Sequence, residues 1–177
     1  MKLDIGYIIL CLNDNKSELK NTVDSILWSN NSKNCYGIVS NTIKDDSLKE
    51  ICPIYKGSDT ITSLINTGMK SLNNEWAFIL YAGSRLKTNL QRKMSLFIKD
   101  SKDILFPIIN GKSNFVDGSS NGIMVHKEHF ASIGEFPIIK KNYESTLNDF
   151  EIAKLLWAND AIRHNSQFKA IAGIRLF

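Results

Sequence analysis

The sequence has 177 residues, 43% of them hydrophobic and 23% charged, which is chain enough for one domain with a sizeable core and an ordinary balance for a globular protein. Its formal net charge of +4 suits an anionic small ligand but falls short of a nucleic-acid footprint, and no apolar run approaches the roughly 20 residues of a membrane helix. Met1-Lys2-Leu3-Asp4 carries an acid and no cleavage pattern, so no secretory signal is expected; Cys11, Cys35 and Cys52 are odd in number and lack metal-ligand spacing, and Cys11 and Cys35, in predicted strands, read as buried thiols of a reducing, cytoplasmic setting.

The first predicted element is a buried strand from Leu3 to Leu12. Asn13-Asp14-Asn15 turns the chain, and Asn15 with Glu18 forms a capping box for a helix. Leu19, Val23, Ile26 and Leu27 give that helix one apolar stripe, which ends near Trp28-Ser29-Asn30. A second strand covers Cys35 to Ser40. Asp45 to Ile51 reads as a short helix, Pro53 to Tyr55 as an extended piece. Gly57-Ser58 leads into a helix at 59–72, where Ile61, Leu64, Ile65, Gly68, Met69 and Leu72 recur at helical spacing. Asn73 and Asn74 are the expected left-handed stop. Trp76-Ala-Phe-Ile-Leu-Tyr81 is a continuous apolar run, as in a strand buried on both faces. The alternation of strands and helices predicts a doubly wound α/β sheet, mostly parallel, with helices on both faces. In such sheets ligands bind beyond the carboxyl ends of the strands, which singles out the loop Ala82-Gly83-Ser84-Arg85.

The second half is less regular. Leu90, Met94, Phe97 and Ile98 mark a helix. Ile104 to Ile109 is a strand whose Pro107 places it at an edge or a bend. Asn110-Gly111-Lys112 is a turn, with Phe115-Val116 as the hairpin partner. A strand at Asn121 to Val125 precedes a short helix, Lys127 to Ile133, closed by Gly134. Pro137 to Thr146 reads as a mobile loop. Asp149 to Asn159 is a helix with Ile152, Leu155 and Leu156 inside.

The stretch Ser63 to Leu86 resembles the centre of a family 2-type glycosyltransferase of the GT-A fold. There a helix with an Asn-x-Gly step leads into a strand ending in Asp-x-Asp. Asn66-Thr67-Gly68 matches the step; Tyr81-Ala82-Gly83 stands where the carboxylates would be. The resemblance implies a single GT-A-like domain, with a nucleotide-binding half at 1–88 and an acceptor-side half at 89–177. It assigns Leu12, Asn13, Asn41, Asn66, Ala82, Gly83, Ser84 and Arg85 to the nucleotide sugar, and Asn121, Gly122 and Glu151 to the acceptor side. The alternative for Asn13 is a turn residue bonding locally, which its turn chemistry alone favours, and for Asn41 an ordinary loop asparagine. Asn121-Gly122 through Ile133-Gly134-Glu135-Phe136 resembles the acceptor-side segment, in which Gly122 would let backbone approach the sugar; Ile133-Gly134 is also an ordinary helix end. Asn148-Asp149-Phe150-Glu151 resembles the Glu-Asp-x-Glu motif, whose Asp takes a proton from the acceptor hydroxyl. The alternative for Asp149 is a helix start favoured by the macrodipole.

Without the two carboxylates, no divalent metal cofactor is expected at Tyr81-Ala82-Gly83. Arg85, Lys87, Lys140 and Lys141 are the candidates to neutralise a leaving diphosphate; His164 is a lone histidine, the kind that is usually structural. The first turn has neither a dinucleotide nor a P-loop pattern, and no Gly-rich, Arg-containing loop of the pyrophosphorylase type. The expected partners are a nucleotide sugar and a glycan or other hydroxyl acceptor. The alternative is an inactive domain of the same fold that binds nucleotide, sugar or protein.

Overall fold

The structure is a computed structural model that describes residues 4–11, 16–30, 35–39, 46–55, 60–86, 104–109, 112–113, 122–138, 153–154, 156–158 and 170–174. In chain order its strands are β1 (Ile5–Cys11), β2 (Cys35–Val39), β3 (Ile54–Tyr55), β4 (Trp76–Tyr81), β5 (Ile104–Ile109), β6 (Lys112–Ser113), β7 (Ile123–His126) and β8 (Ala170–Ile174). The helices are α1 (Lys16–Asn30), α2 (Ile61–Ser71) and α3 (Lys127–Ile133), with a 3-10 turn at Asp46–Glu50. The strands join in the order β3-β2-β1-β4-β7-β5-β6, and β8 adds to β5.

The first half is parallel, as expected. β1 pairs β2 with Cys11 opposite Val39, and pairs β4 with Leu10 opposite Tyr81. Beyond β4 the direction reverses: β7 runs antiparallel to β4, with Ile79 opposite Ile123, and β5 pairs antiparallel with both β7 and β6. Farther on, β8 pairs parallel with β5, so the sheet is mixed: parallel through its first half, with antiparallel pairs at β7 and β6 where a mostly parallel sheet was expected.

β1 and β4 are apolar on both faces because helices cover both. Side chains of a strand alternate between faces. Tyr7, Ile9 and Cys11 of β1 and Phe78 and Leu80 of β4 meet Leu19, Val23 and Ile26 of α1. Ile8, Leu10, Ala77 and Ile79 point the other way, onto Leu64, Ile65 and Met69 of α2, and onto Phe130, Phe136 and Trp157. Each such aliphatic side chain, fully buried, is worth roughly 1.5–3 kcal/mol, so this double layer is the main support of the sheet's centre.

Polar side chains fix the edge where β1 and β4 begin. The Asp4 carboxylate accepts from Asn74 Nδ2 at 2.6 Å and from the Glu75 N–H at 3.2 Å, and the Asp4 carbonyl accepts from the Trp76 N–H at 2.9 Å. The buried His126 caps α3, its Nδ1 accepting from the Glu128 N–H at 3.2 Å.

Several local expectations change. α2 ends by Leu72 turning extended (φ −71°, ψ 130°); Asn74 is used on Asp4 instead of making a left-handed stop. Pro107 lies at a bend: the β5–β8 register shifts between Phe106 and Pro107, and β5 has neighbours on both sides. The hairpin partner of β5 is Lys112–Ser113; Phe115-Val116 lies outside the described residues, as do the expected helix around Leu90 to Ile98 and the loop at 139–146. Leu27 is 38% exposed and Leu156 46% exposed, while Ala153, Lys154, Trp157 and Ala158 are buried. Leu156, expected inside, thus faces out, while Ile152 and Leu155 lie outside the described residues.

Candidate functional site

The carboxyl ends of β1, β2 and β4 lie level along one edge, because their registers align Leu10 with Tyr81 and Cys11 with Val39. β7 enters from that same edge. Gly122, with φ +84°, sits against β4 so closely that a Cβ would fall inside the van der Waals shell of the Ile79 carbonyl oxygen. Residue 122 must be glycine because of strand β4, a different reason from the sugar contact expected of it. The edge therefore collects the end of β1, the end of β2, the loop at 82–86 and the start of β7.

The loop is built tightly. The Ala82 N–H donates to Leu10 O at 2.9 Å, extending the β1–β4 ladder by one bond. Gly83 has φ 92°, a conformation that disfavours any side chain. Its N–H donates to Thr22 Oγ1 at 2.9 Å and more distantly to Glu18 O at 3.3 Å. The Ser84 N–H returns to Tyr81 O at 3.1 Å, closing the turn. The Leu86 N–H donates to Ser25 Oγ at 3.1 Å, and the Leu86 side chain is buried beneath. Arg85, between these anchors, is exposed and makes no ion pair among the described residues.

The loop's own side chains offer little to a divalent cation. Tyr81, Ala82, Gly83, Ser84 and Arg85 present a phenol, a methyl, a hydroxyl and a guanidinium, and no carboxylate for a hard cation. The Glu18 carboxylate of α1 lies beside the loop, its Oε2 3.9 Å from where a Cβ on Gly83 would start. No group of three or more His, Cys, Asp or Glu side chains is arranged for a metal among the described residues.

Asn66 has a different place from the one expected. It is 3% exposed, and both ends of its amide are engaged by one residue. Nδ2 donates to Phe136 O at 2.9 Å, and Oδ1 accepts from the Phe136 N–H at 3.0 Å. It acts inside the core and not toward a ligand. The Asn66-Thr67-Gly68 step and the Ile133-Gly134-Glu135-Phe136 segment, separate in sequence, are thus clamped together. Lys70 adds an ion pair to Glu135, and Trp157 Nε1 donates to Gly134 O at 2.8 Å. Phe136 packs on Trp157 with ring centroids 5.0 Å apart.

Leu12, Asn13, Asn41, Asn121, Asp149 and Glu151, with Lys87, Lys140, Lys141 and His164, lie outside the described residues. What the motif reading missed is α1's share of the site: Glu18, Thr22 and Ser25. A signal was available. Thr22 stands between Leu19, Val23 and Ile26 on the buried stripe, and a hydroxyl there needs a partner.

No protein-family model matches the sequence, and no curated protein matches it. Solved structures do match in fold. TarS of S. aureus, residues 1-349, superposes with a TM-score of 0.64 at 10% identity, over 96% of this chain and 58% of that one; it has also been solved with UDP and with UDP-GlcNAc. The mannosyltransferase PcManGT of Pyrobaculum calidifontis, solved with GDP-Man and Mn2+, matches with a TM-score of 0.57 at 8% identity, over 77% of this chain and 48% of that one. A cytidylyltransferase of Leptospira borgpetersenii matches with a TM-score of 0.59 at 12% identity, over 98% of this chain and 78% of that one. This chain thus spans little more than half the length of TarS 1-349. At these identities the likeness is one of architecture: the chain shares an α/β fold with TarS, PcManGT and the cytidylyltransferase.

Proposed function

We propose that the protein is a glycosyltransferase that moves a sugar from a nucleotide-sugar donor to a hydroxyl acceptor, without a metal held by Asp-x-Asp. The observation that carries the reading is the fold match over 96% of the chain to a protein solved with UDP and UDP-GlcNAc, with the 82–86 loop at the level carboxyl ends of β1 and β4. In this reading Leu12, Asn13 and Asn41 meet the nucleoside, and Ala82 to Arg85 face the diphosphate. Arg85 supplies positive charge, since a guanidinium binds phosphate oxygens in pairs. Asp149 is the base in a single inverting displacement. The acceptor oxygen attacks the anomeric carbon as its proton passes to Asp149, and the sugar–phosphate bond breaks to release the nucleoside diphosphate. Asn121 and Glu151 belong to the acceptor side.

The test is calorimetric titration with UDP, GDP and CDP, with and without Mn2+, followed by release of nucleoside diphosphate from the matching donor sugar. Asp149→Asn is expected to abolish transfer, at least a hundredfold, with nucleotide affinity retained, because a general base is worth about 10²–10⁴. Equal loss of binding and turnover would refute the assignment. The absence of carboxylates at Tyr81-Ala82-Gly83 favours a second reading, an inactive binding module. Nucleotide binding with no turnover of any donor would establish it, and pyrophosphate release from CTP would favour nucleotidyl transfer instead.

A further inference from the structure

We infer that Thr22 and Ser25 of α1 are positioning residues that hold the 82–86 loop in its ligand-meeting shape before any ligand or cation arrives. The inference takes its ligand from the nucleotide-sugar reading, whereas the device itself stands on the geometry of α1.

Thr22 is completely buried, on a helix face otherwise made of Leu19, Val23 and Ile26. Its hydroxyl donates to Glu18 O at 3.1 Å, one turn back in its own helix. Ser25 does the same toward Thr22 O at 2.8 Å. Back-bonding of this kind is a habit of helical Ser and Thr, but here it has a consequence. A hydroxyl has one proton and two acceptor positions. With each proton committed to the helix, each oxygen keeps an acceptor position for the loop, in a direction set by a rigid element. The Gly83 N–H takes one at 2.9 Å and the Leu86 N–H takes the other at 3.1 Å.

The spacing matches on the two sides. Residues 22 and 25 are three apart on α1, nearly one turn; residues 83 and 86 are three apart in the loop. Ser84 and Arg85 form the short span between the anchors. Gly83 supplies the positive φ that lets the span leave β4 and reach the helix. A loop that must present a cation to a diphosphate loses affinity if binding has to order it. In this chain hydrogen bonds to a helix provide that order.

Hydrogen exchange and binding in the full-length protein test the idea. In Thr22→Val/Ser25→Ala, the Gly83 and Leu86 amides should exchange about tenfold faster or more, and UDP should bind about tenfold more weakly, the size expected for losing two ordinary hydrogen bonds. Uridine, which has no diphosphate to meet the loop, should bind as before. Thr22→Ser keeps the hydroxyl and should restore both amide protection and UDP affinity against a Ser25 background. Unchanged exchange at Gly83 and Leu86 would overturn the clamp. Parallel loss of UDP and uridine affinity, unrescued by Thr22→Ser, would overturn the positioning role by showing a general loss of structure. Wild-type protein that binds neither UDP nor uridine would sink the nucleotide reading, and the exchange rates would still decide the clamp.

Discussion

Of the described glycines, Gly122 is the one where an added Cβ would come nearest to another atom. Its φ of +84° and its contact with the Ile79 carbonyl leave no volume for a methyl group. Gly122→Ala should destabilise the fold by about 3 kcal/mol or more, from backbone strain and overpacking together, read as a lowered urea midpoint. Cys52 makes a different statement. Burial pushes its thiol up to about 11 from the usual 9.0, against a main-chain hydrogen bond involving Gly37 and helped by the nearby Cys11. The folded state therefore holds the proton longer than the unfolded chain does. The stability this represents is fully present below pH 9 and is lost as pH rises through about 11. That rise corresponds to on the order of 2–3 kcal/mol. Urea midpoints at pH 8 and pH 10.5 should diverge in the wild type and much less in Cys52→Ala, and native Cys52 should resist alkylation at pH 8. A steep wild-type decline that persists unaltered in Cys52→Ala would assign it to other groups.

Among the elements, those with strong periodicity were legible. β4 declares itself by six apolar residues in a row, and α2 by a stripe from Ile61 to Met69 that the structure buries against the sheet. β8 was missed because Ala170-Ile-Ala-Gly-Ile174 is short, small and interrupted by glycine; only its pairing with β5 makes it a strand. The direction of β7 was also hidden, since four buried residues read alike parallel or antiparallel. Helix starts divide in the same way. The Thr60 hydroxyl caps α2 by accepting from the Ser63 N–H at 3.2 Å, whereas the expected lead-in was Gly57-Ser58. Thr60→Ala should lower stability by about 1 kcal/mol, seen as a fall of several degrees in thermal midpoint; no shift would mean that packing alone starts the helix. Of the site, the loop was legible from its place after β4. Its fastening to α1 showed only as a buried hydroxyl, Thr22, in need of a partner; the partner itself was hidden, because hydroxyl-to-backbone bonds between residues 61 apart leave no local pattern.

For the whole molecule, the Asn66 amide matters more than its size suggests, because it joins segments 70 residues apart. Asn66→Ala would leave the N–H and C=O of Phe136 buried without that partner. The expected loss is about 2–4 kcal/mol, with faster hydrogen exchange in both α2 and the 134–136 segment. Faster exchange in one of them alone would show that the clamp does not couple them. The fold match to longer proteins sets the architecture, but this bond says how the chain can be divided. A fragment ending between β4 and β7 would keep the helix that carries Asn66 and discard the backbone that answers it. The half at 1–88 is therefore no module to be moved alone: grafted or expressed without residues 134–136, it would carry an unanswered amide on the face of α2 that packs on the sheet.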